Sequence, residues 1–432
     1  MQTKVIVKSY PEVLKLIEKK HQKHKKHKKP VRPNLFFRTL MRLASLPDML
    51  ATGFKCEKID MHRLNKGEPC FILMNHSSFI DLEIAATALY PMPFNIVASI
   101  DAFFGKNWLM RHLGCIPSNK FVSDATMVRD VLHAIKKNNT SVLMYPEAGY
   151  SFDGTSTTLP DSIGKCIKML GVPLVMLKTY GAFSRDPLYN MLQRRKVSVS
   201  AKVQYLLSKE EIADMSDNDL TEFIKTAFYF DGFRWQSENG IKITEPTRAD
   251  GLHRVLYKCP CCKTEGKMLG EGVTLKCKEC SKEYTLSELG KLESDTGAEF
   301  DYVSDWFGWQ RECVRDELLT GSYGYSGDVD ILISIDTKRL YSIGAGRLVH
   351  TENGFHLTGC EEALDYLQKP LTSHSVYADL NWYEIGDMIS VGDNEKLFYC
   401  FPKDKSTPVA KLRLGAEELY KIKRAELDSS DK

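Results

Sequence analysis

Four consecutive apolar residues, Phe71-Ile72-Leu73-Met74, run directly into a polar turn, Asn75-His76-Ser77-Ser78, and then into a helical stretch that begins at Asp81. A run this short and apolar at every position reads as a strand buried on both faces. The pattern continues down the chain. Phe94–Ala98 reads as a strand, and a helix capped by Ser123 or Asp124 carries Val128, Val131, Leu132 and Ile135 on one side. Val142–Tyr145 is a further strand, 161–170 a helix and Val172–Leu177 a strand. Strands and helices in this alternation predict an α/β domain with a mixed or parallel sheet.

In such sheets ligands gather beyond the C-terminal ends of the strands, which is where His76 stands. Asp81 follows five positions later, across a turn that opens a helix, so its carboxylate can fold back onto one imidazole nitrogen. The other nitrogen is then able to take a proton from a hydroxyl. Ser77 and Ser78 adjoin the histidine, but neighbouring side chains do not converge, so neither is expected as a nucleophile. His112 and His133 read as structural. The pair therefore points to general-base acyl transfer to an alcohol, without an acyl-enzyme.

The sequence Asn75-His76-x4-Asp81 after an apolar strand resembles the first motif of the glycerolipid acyltransferases, which acylate 1-acylglycerol-3-phosphate. Gly114-Cys-Ile-Pro-Ser-Asn-Lys120 is similar to the second motif, with lysine where the family usually has arginine. Tyr145-Pro-Glu-Ala-Gly-Tyr-Ser151 resembles the third, commonly Phe-Pro-Glu-Gly-Thr-Arg-Ser. Pro146, Glu147 and Ser151 match, whereas Ala148 and Tyr150 replace glycine and arginine. Val172-Pro-Leu-Val175 is similar to the fourth, with Met176 in place of a second proline. The resemblance spans residues 50–235 and implies His76 and Asp81 as catalytic residues. It implies Asn75, Gly114, Lys120, Pro146, Glu147 and Ser151 as substrate-binding residues, with Glu147 orienting acceptor hydroxyls. It further implies acyl-CoA or acyl carrier protein as donor and a lysophospholipid as acceptor, in phospholipid biosynthesis. The missing arginine leaves the phosphate site open, since a guanidinium grips phosphate through a bidentate fork. Lys165 and Arg185 are candidate substitutes.

The N-terminal region, residues 1–48, carries a basic run from Lys19 to Arg32 and then Leu35–Leu46, whose apolar residues cover one broad helical face. A basic block beside such a helix is expected to lie on an anionic bilayer. No stretch of about 18 apolar residues is present, so no spanning helix is expected, nor a signal peptide. A peripheral enzyme on the cytoplasmic face of a membrane is the corresponding expectation.

The acyltransferase region is expected over 49–250, ending in an acidic helical linker at 210–250. Within 251–292, Cys259-x2-Cys262 and Cys277-x2-Cys280 form two knuckles around a glycine-containing hairpin, the signature of a zinc ribbon with a structural Zn²⁺. Cys261 is the odd thiol. Thiolate ligands in this pattern point to a reducing compartment. Nucleic acid is not expected as a partner: net charge is +3, and no aromatic platform stands out beyond Tyr257 and Tyr284. Residues 293–432 read as a helix, Trp306–Leu319, then about seven short strands and a closing helix. That order fits a β-rich, pleckstrin-homology-like barrel. A non-catalytic lipid or nucleic-acid adaptor on an acyltransferase scaffold is the competing reading, as is an acyltransferase for another lysophospholipid or alcohol.

Overall fold

The computed structural model describes residues 5–22, 27–122 and 124–430. Lys23–Lys26 of the basic run and the candidate cap Ser123 lie outside them; Asp124 caps helix Ala125–Lys136 by accepting from the Thr126 and Met127 N–H groups.

Among the described residues, the first half of the chain builds a seven-stranded sheet around strand Phe71–Met74. That strand pairs in parallel with Ser141–Met144 on one side and Leu174–Tyr180 on the other. All four of its residues are buried because helices cover both faces. Ile72 and Met74 pack with Ile84 and Ala85 of helix Ile80–Ala88. Phe71 and Leu73 pack with Val131, Ile135, Ile163 and Ile167. Strands Phe94–Ser99 and Cys115–Ser118 extend the sheet in parallel beyond Ser141–Met144. On the other flank Ser200–Leu207 runs antiparallel to Leu174–Tyr180 and parallel to Lys55–Ile59. Helix Asp217–Phe228 is not a linker: Leu220, Ile224 and Phe228 recur at helical spacing and are buried in the core beneath the sheet.

Residues 5–22 pack on the C-terminal part of the chain. Strand Val5–Val7 pairs in parallel with Leu340–Ser342, and helix Tyr10–Gln22 buries Tyr10, Val13 and Ile17 in the C-terminal core. The apolar stripe at i, i+3, i+7 lies among lysines that face water. Helix Leu35–Ala51 buries Phe37, Ser45 and Met49.

Beyond the α/β sheet, strands Met268–Glu271, Thr274–Cys277, Glu283–Leu286 and Leu292–Glu293 form a four-stranded antiparallel sheet that carries the cysteines. Its Leu275 and Tyr284 share one core with Phe183, Tyr189 and Trp306, so it is wedged between the two larger sheets. The C-terminal sheet is two antiparallel meanders joined by pairing between Tyr325–Ser334 and Leu397–Pro402. Its longest strand is Leu340–Thr351, of 12 residues. Helix Val409–Ser430 is the last described element.

Candidate active site

The turn after Phe71–Met74 is held by its own side chains. Asn75 continues the ladder into the neighbouring strand: its Oδ1 accepts from Thr179 N at 2.8 Å, and its Nδ2 donates to Thr179 O at 3.3 Å. Asp81 lies in the first turn of helix Ile80–Ala88, where free N–H groups and the helix dipole favour a carboxylate. Its Oδ2 accepts from Ser77 N at 2.7 Å and Ser78 N at 3.0 Å, and stands 3.1 Å from His76 Nδ1. An ionised carboxylate only accepts, so Nδ1 carries the proton and Nε2 keeps its lone pair. Among the described residues nothing hydrogen-bonds to Nε2, and 17% of the His76 side chain is open.

Two tyrosines enclose the ring. Tyr145 stacks at 4.1 Å between centroids, Tyr150 lies tilted against the ring at 4.2 Å, and Phe79 extends the aromatic wall at 5.6 Å from Tyr150. Burial among these rings lowers the His76 pKa. Asp81 opposes that shift and Lys120 adds to it. The ring is therefore neutral at neutral pH and able to accept a proton.

The loop after strand Ser141–Met144 holds the turn from the other side. Pro146 is buried, and Glu147, also buried, accepts from His76 N at 2.7 Å and from Thr157 N at 2.7 Å. Both Glu147 oxygens are thus engaged by main chain, and burial pushes its pKa up to about 7. Ser151 N donates to His76 O at 3.2 Å, and Ser151 Oγ to Thr155 O at 2.6 Å. Ala148, the residue in the usual glycine position, has φ +52°, a left-handed conformation that glycine adopts at less cost.

Lys120 lies at the same end of the sheet but under C-terminal residues. Its Nζ sits 3.6 Å from the centroid of the Tyr377 ring, and Asp101 and Asp379 attract it while burial lowers its pKa. The Tyr377 hydroxyl donates to Asp379 Oδ2 at 2.7 Å, and Trp382 Nε1 to Asp101 Oδ2 at 3.3 Å. Gly114 is not brought to this site. It precedes strand Cys115–Ser118 at the opposite end of the parallel strands from His76. Its φ is +89°, and a Cβ there would meet Pro33 Cγ at 3.0 Å and Phe94 O at 3.1 Å, so backbone packing accounts for the glycine. Lys165 is exposed, and Arg185 is buried against Asp48 at 2.8 Å and Asp186 at 3.1 Å.

Sequence reasoning missed the packing of Tyr145 and Tyr150 against the imidazole and every contribution from beyond residue 300. Arg413 is the clearest case. It lies within helix Val409–Ser430, donates from Nη1 to Tyr150 O at 3.2 Å and packs over Phe152. No local pattern links it to the histidine turn.

The cysteine knuckles converge as expected. The Sγ atoms of Cys259, Cys262, Cys277 and Cys280 lie within 4.8 Å of one another, with Cys259–Cys280 and Cys262–Cys277 both at 3.7 Å. A thiolate tetrahedron with Zn–S near 2.3 Å has edges of about 3.8 Å, so the set could hold a metal ion. Cys261 is exposed and outside the cluster.

A family model described as Acyltransferase matches residues 55–177. No curated protein matches the chain. Among solved structures it is similar to the 1-acyl-sn-glycerophosphate (LPA) acyltransferase PlsC from Thermotoga maritima, at 14% identity and a TM-score of 0.35. That similarity covers 44% of this chain and 76% of that one. The histidine turn, Asp81, Lys120 and the Glu147 loop all fall inside the span that the Acyltransferase model matches.

Proposed function

We propose that the chain is an O-acyltransferase that moves a fatty acyl group from an acyl thioester, acyl-CoA or acyl carrier protein, to the free hydroxyl of a glycerolipid-like acceptor at a membrane surface. One observation carries this reading: a neutral imidazole whose Nδ1–H faces Asp81 at 3.1 Å and whose Nε2 is left with its lone pair. Nε2 takes the acceptor's proton as the alkoxide oxygen attacks the thioester carbonyl. The tetrahedral intermediate collapses with loss of the thiolate, which recovers that proton from the imidazolium. The ester and the free thiol leave, and His76 is neutral again. Asp81 stabilises the transient cation. General-base catalysis of this kind contributes about 10²–10⁴-fold, and positioning supplies much of the rest. Glu147 supports the reading by fixing the His76 main chain. Among the described residues of the motifs, Lys120 is the cation that a lysophosphatidic-acid-like acceptor, as the resemblance implies it, would have to use.

Cys259, Cys262, Cys277 and Cys280 would hold Zn²⁺ structurally, with all four coordination positions filled by protein. Membrane association is supported by an apolar stripe on helix Leu35–Ala51, where Phe36, Leu40, Leu43 and Leu50 are exposed. Exposed Trp108 adjoins it through Phe37. Arg111 pins the basic segment alongside by donating to Lys28 O and Lys29 O at 2.6 and 2.8 Å. No described helix is long and apolar enough to cross a membrane.

The test is His76→Ala in the full chain, assayed with both donors against a lipid-alcohol panel. Loss of at least a hundredfold in kcat is expected; unchanged turnover removes the base. Vesicle binding by a wild-type protein without turnover on any acceptor would favour the adaptor.

A further inference from the structure

A phosphomonoester carries nearly two negative charges at neutral pH and is held by cations with free donors, above all by guanidinium forks. Among the described residues, Lys120, Arg413 and Arg185 near this site each already face carboxylates. Lys120 is covered by the Tyr377 ring at 3.6 Å, and Asp101 and Asp379 pull on it. Arg413 is 5% exposed, spends its Nε on Glu417 Oε1 at 3.1 Å and its Nη1 on the Tyr150 carbonyl. Arg185 is 4% exposed between Asp48 and Asp186. Tyr150, which stands in the motif position of an arginine, lays its ring on the imidazole and offers no charge.

The carboxylates are as telling as the cations. Asp81, Glu147, Asp186, Asp101 and Asp379 are all buried in this region. Asp379 and Asp81 both act electrostatically on Tyr150, and Lys120 on His76, so these groups share one field. A phosphate entering beside His76 would have to draw Lys120 off the Tyr377 ring and compete with the carboxylates whose charge Lys120 offsets. An uncharged alcohol meets instead the rings of Tyr145, Tyr150 and Phe79, which suit an apolar body ending in a hydroxyl.

We propose that the acyl acceptor is an uncharged lipid alcohol without a phosphomonoester, and that Tyr377, by covering Lys120, and Asp101 and Asp379, by offsetting its charge, select against the phosphorylated form. This rests on the acyl-transfer reading and narrows its acceptor. Tyr377 and Asp379 come from strand Tyr377–Trp382 of the C-terminal sheet, which thereby takes part in acceptor choice.

The experiment uses the full chain with palmitoyl-CoA or palmitoyl carrier protein in neutral detergent micelles, so that surface potential does not sort the acceptors. Monooleoylglycerol, oleyl alcohol and 1-oleoyl lysophosphatidate are compared by kcat/KM and by equilibrium binding. A neutral alcohol is expected to exceed lysophosphatidate at least tenfold, and Asp379→Asn, which removes one negative charge from the field on Lys120, to narrow that ratio at least fivefold. Equal or better use of lysophosphatidate overturns the proposal. An unchanged ratio in Asp379→Asn removes Asp379 from the selection. If no acceptor turns over, acyl transfer fails, and the binding arm still decides the charge preference: tighter lysophosphatidate overturns it, tighter neutral alcohol supports it.

Discussion

Replacing Asp81 with asparagine isolates the electrostatic part of the proposed mechanism. The side chain keeps its shape, and the amide oxygen can still accept from Ser77 N and Ser78 N at the Oδ2 position. The reversed orientation would set an NH₂ against two N–H donors, so the oxygen stays toward His76 and the imidazole keeps its tautomer. What disappears is the negative charge 3.1 Å from Nδ1. At an effective dielectric of about 20, two unit charges at that separation attract by about 5 kcal/mol, which bounds the stabilisation of the imidazolium. Loss of most of it lowers kcat by about 10²–10⁴, with KM for either substrate nearly unchanged. The substitution also places an NH₂ where Asp81 Oδ1 is buried without a partner, costing about 1–3 kcal/mol of folding stability. The assay is initial-rate kinetics over pH 4–9 beside urea unfolding. Burial holds the wild-type His76 pKa below its usual 6.5, so the acidic limb of kcat/KM should fall below that value. Asp81 raises that pKa, so Asp81→Asn should move the limb to still lower pH while depressing the plateau. A plateau within threefold of wild type, or a limb displaced upward, would refute the pairing as the source of base strength.

Three further outcomes are expected. Zinc should be found at one ion per chain, and its removal by chelation, or Cys277→Ser, should loosen the C-terminal half as well as the ribbon. The reason is that Lys411 joins Glu265 of the ribbon to Glu317 at 2.8 Å each, and limited proteolysis across 250–330 reads this. Leu40→Glu with Leu43→Glu should reduce co-sedimentation with anionic vesicles at least tenfold and leave the thermal midpoint nearly unchanged, since both side chains are exposed. Ala148→Gly should raise the urea midpoint by the equivalent of about 0.5–1 kcal/mol by relieving its left-handed backbone, and no gain would mean the loop already absorbs that strain.

What could be read from the sequence was local. His76 and Asp81 are five residues apart, and one strand, turn and helix join them, so spacing alone carries their contact. The cysteine tetrad is two knuckles of three peptide bonds across a single hairpin, and its closure needed nothing from elsewhere. Elements were lost where the polar pattern was ambiguous. Strand Lys55–Ile59 sits at the sheet edge and is almost wholly exposed, so it carries no buried face to detect. Helix Tyr10–Gln22 hides three core residues among lysines.

The acceptor side of the site was unreadable for a different reason. Lys120 is a motif residue, and by itself it reads as a point charge waiting for phosphate. Its ammonium lies over the ring of Tyr377, on a strand of another sheet, and in the field of Asp379 on that strand and of Asp101, which accepts from Trp382 of the same strand. Nothing in the spacing of residues 114–120 encodes a carboxylate that arrives from so far along the chain. The same holds for Arg413, which steadies the Tyr150 carbonyl through a helix near the C-terminus. A motif specifies which groups stand at the end of a strand; whether a cation there is free depends on what the remainder of the chain folds against it. Here the C-terminal sheet lays Tyr377 over Lys120, and the proposal of an uncharged acceptor rests on that contact rather than on the motifs.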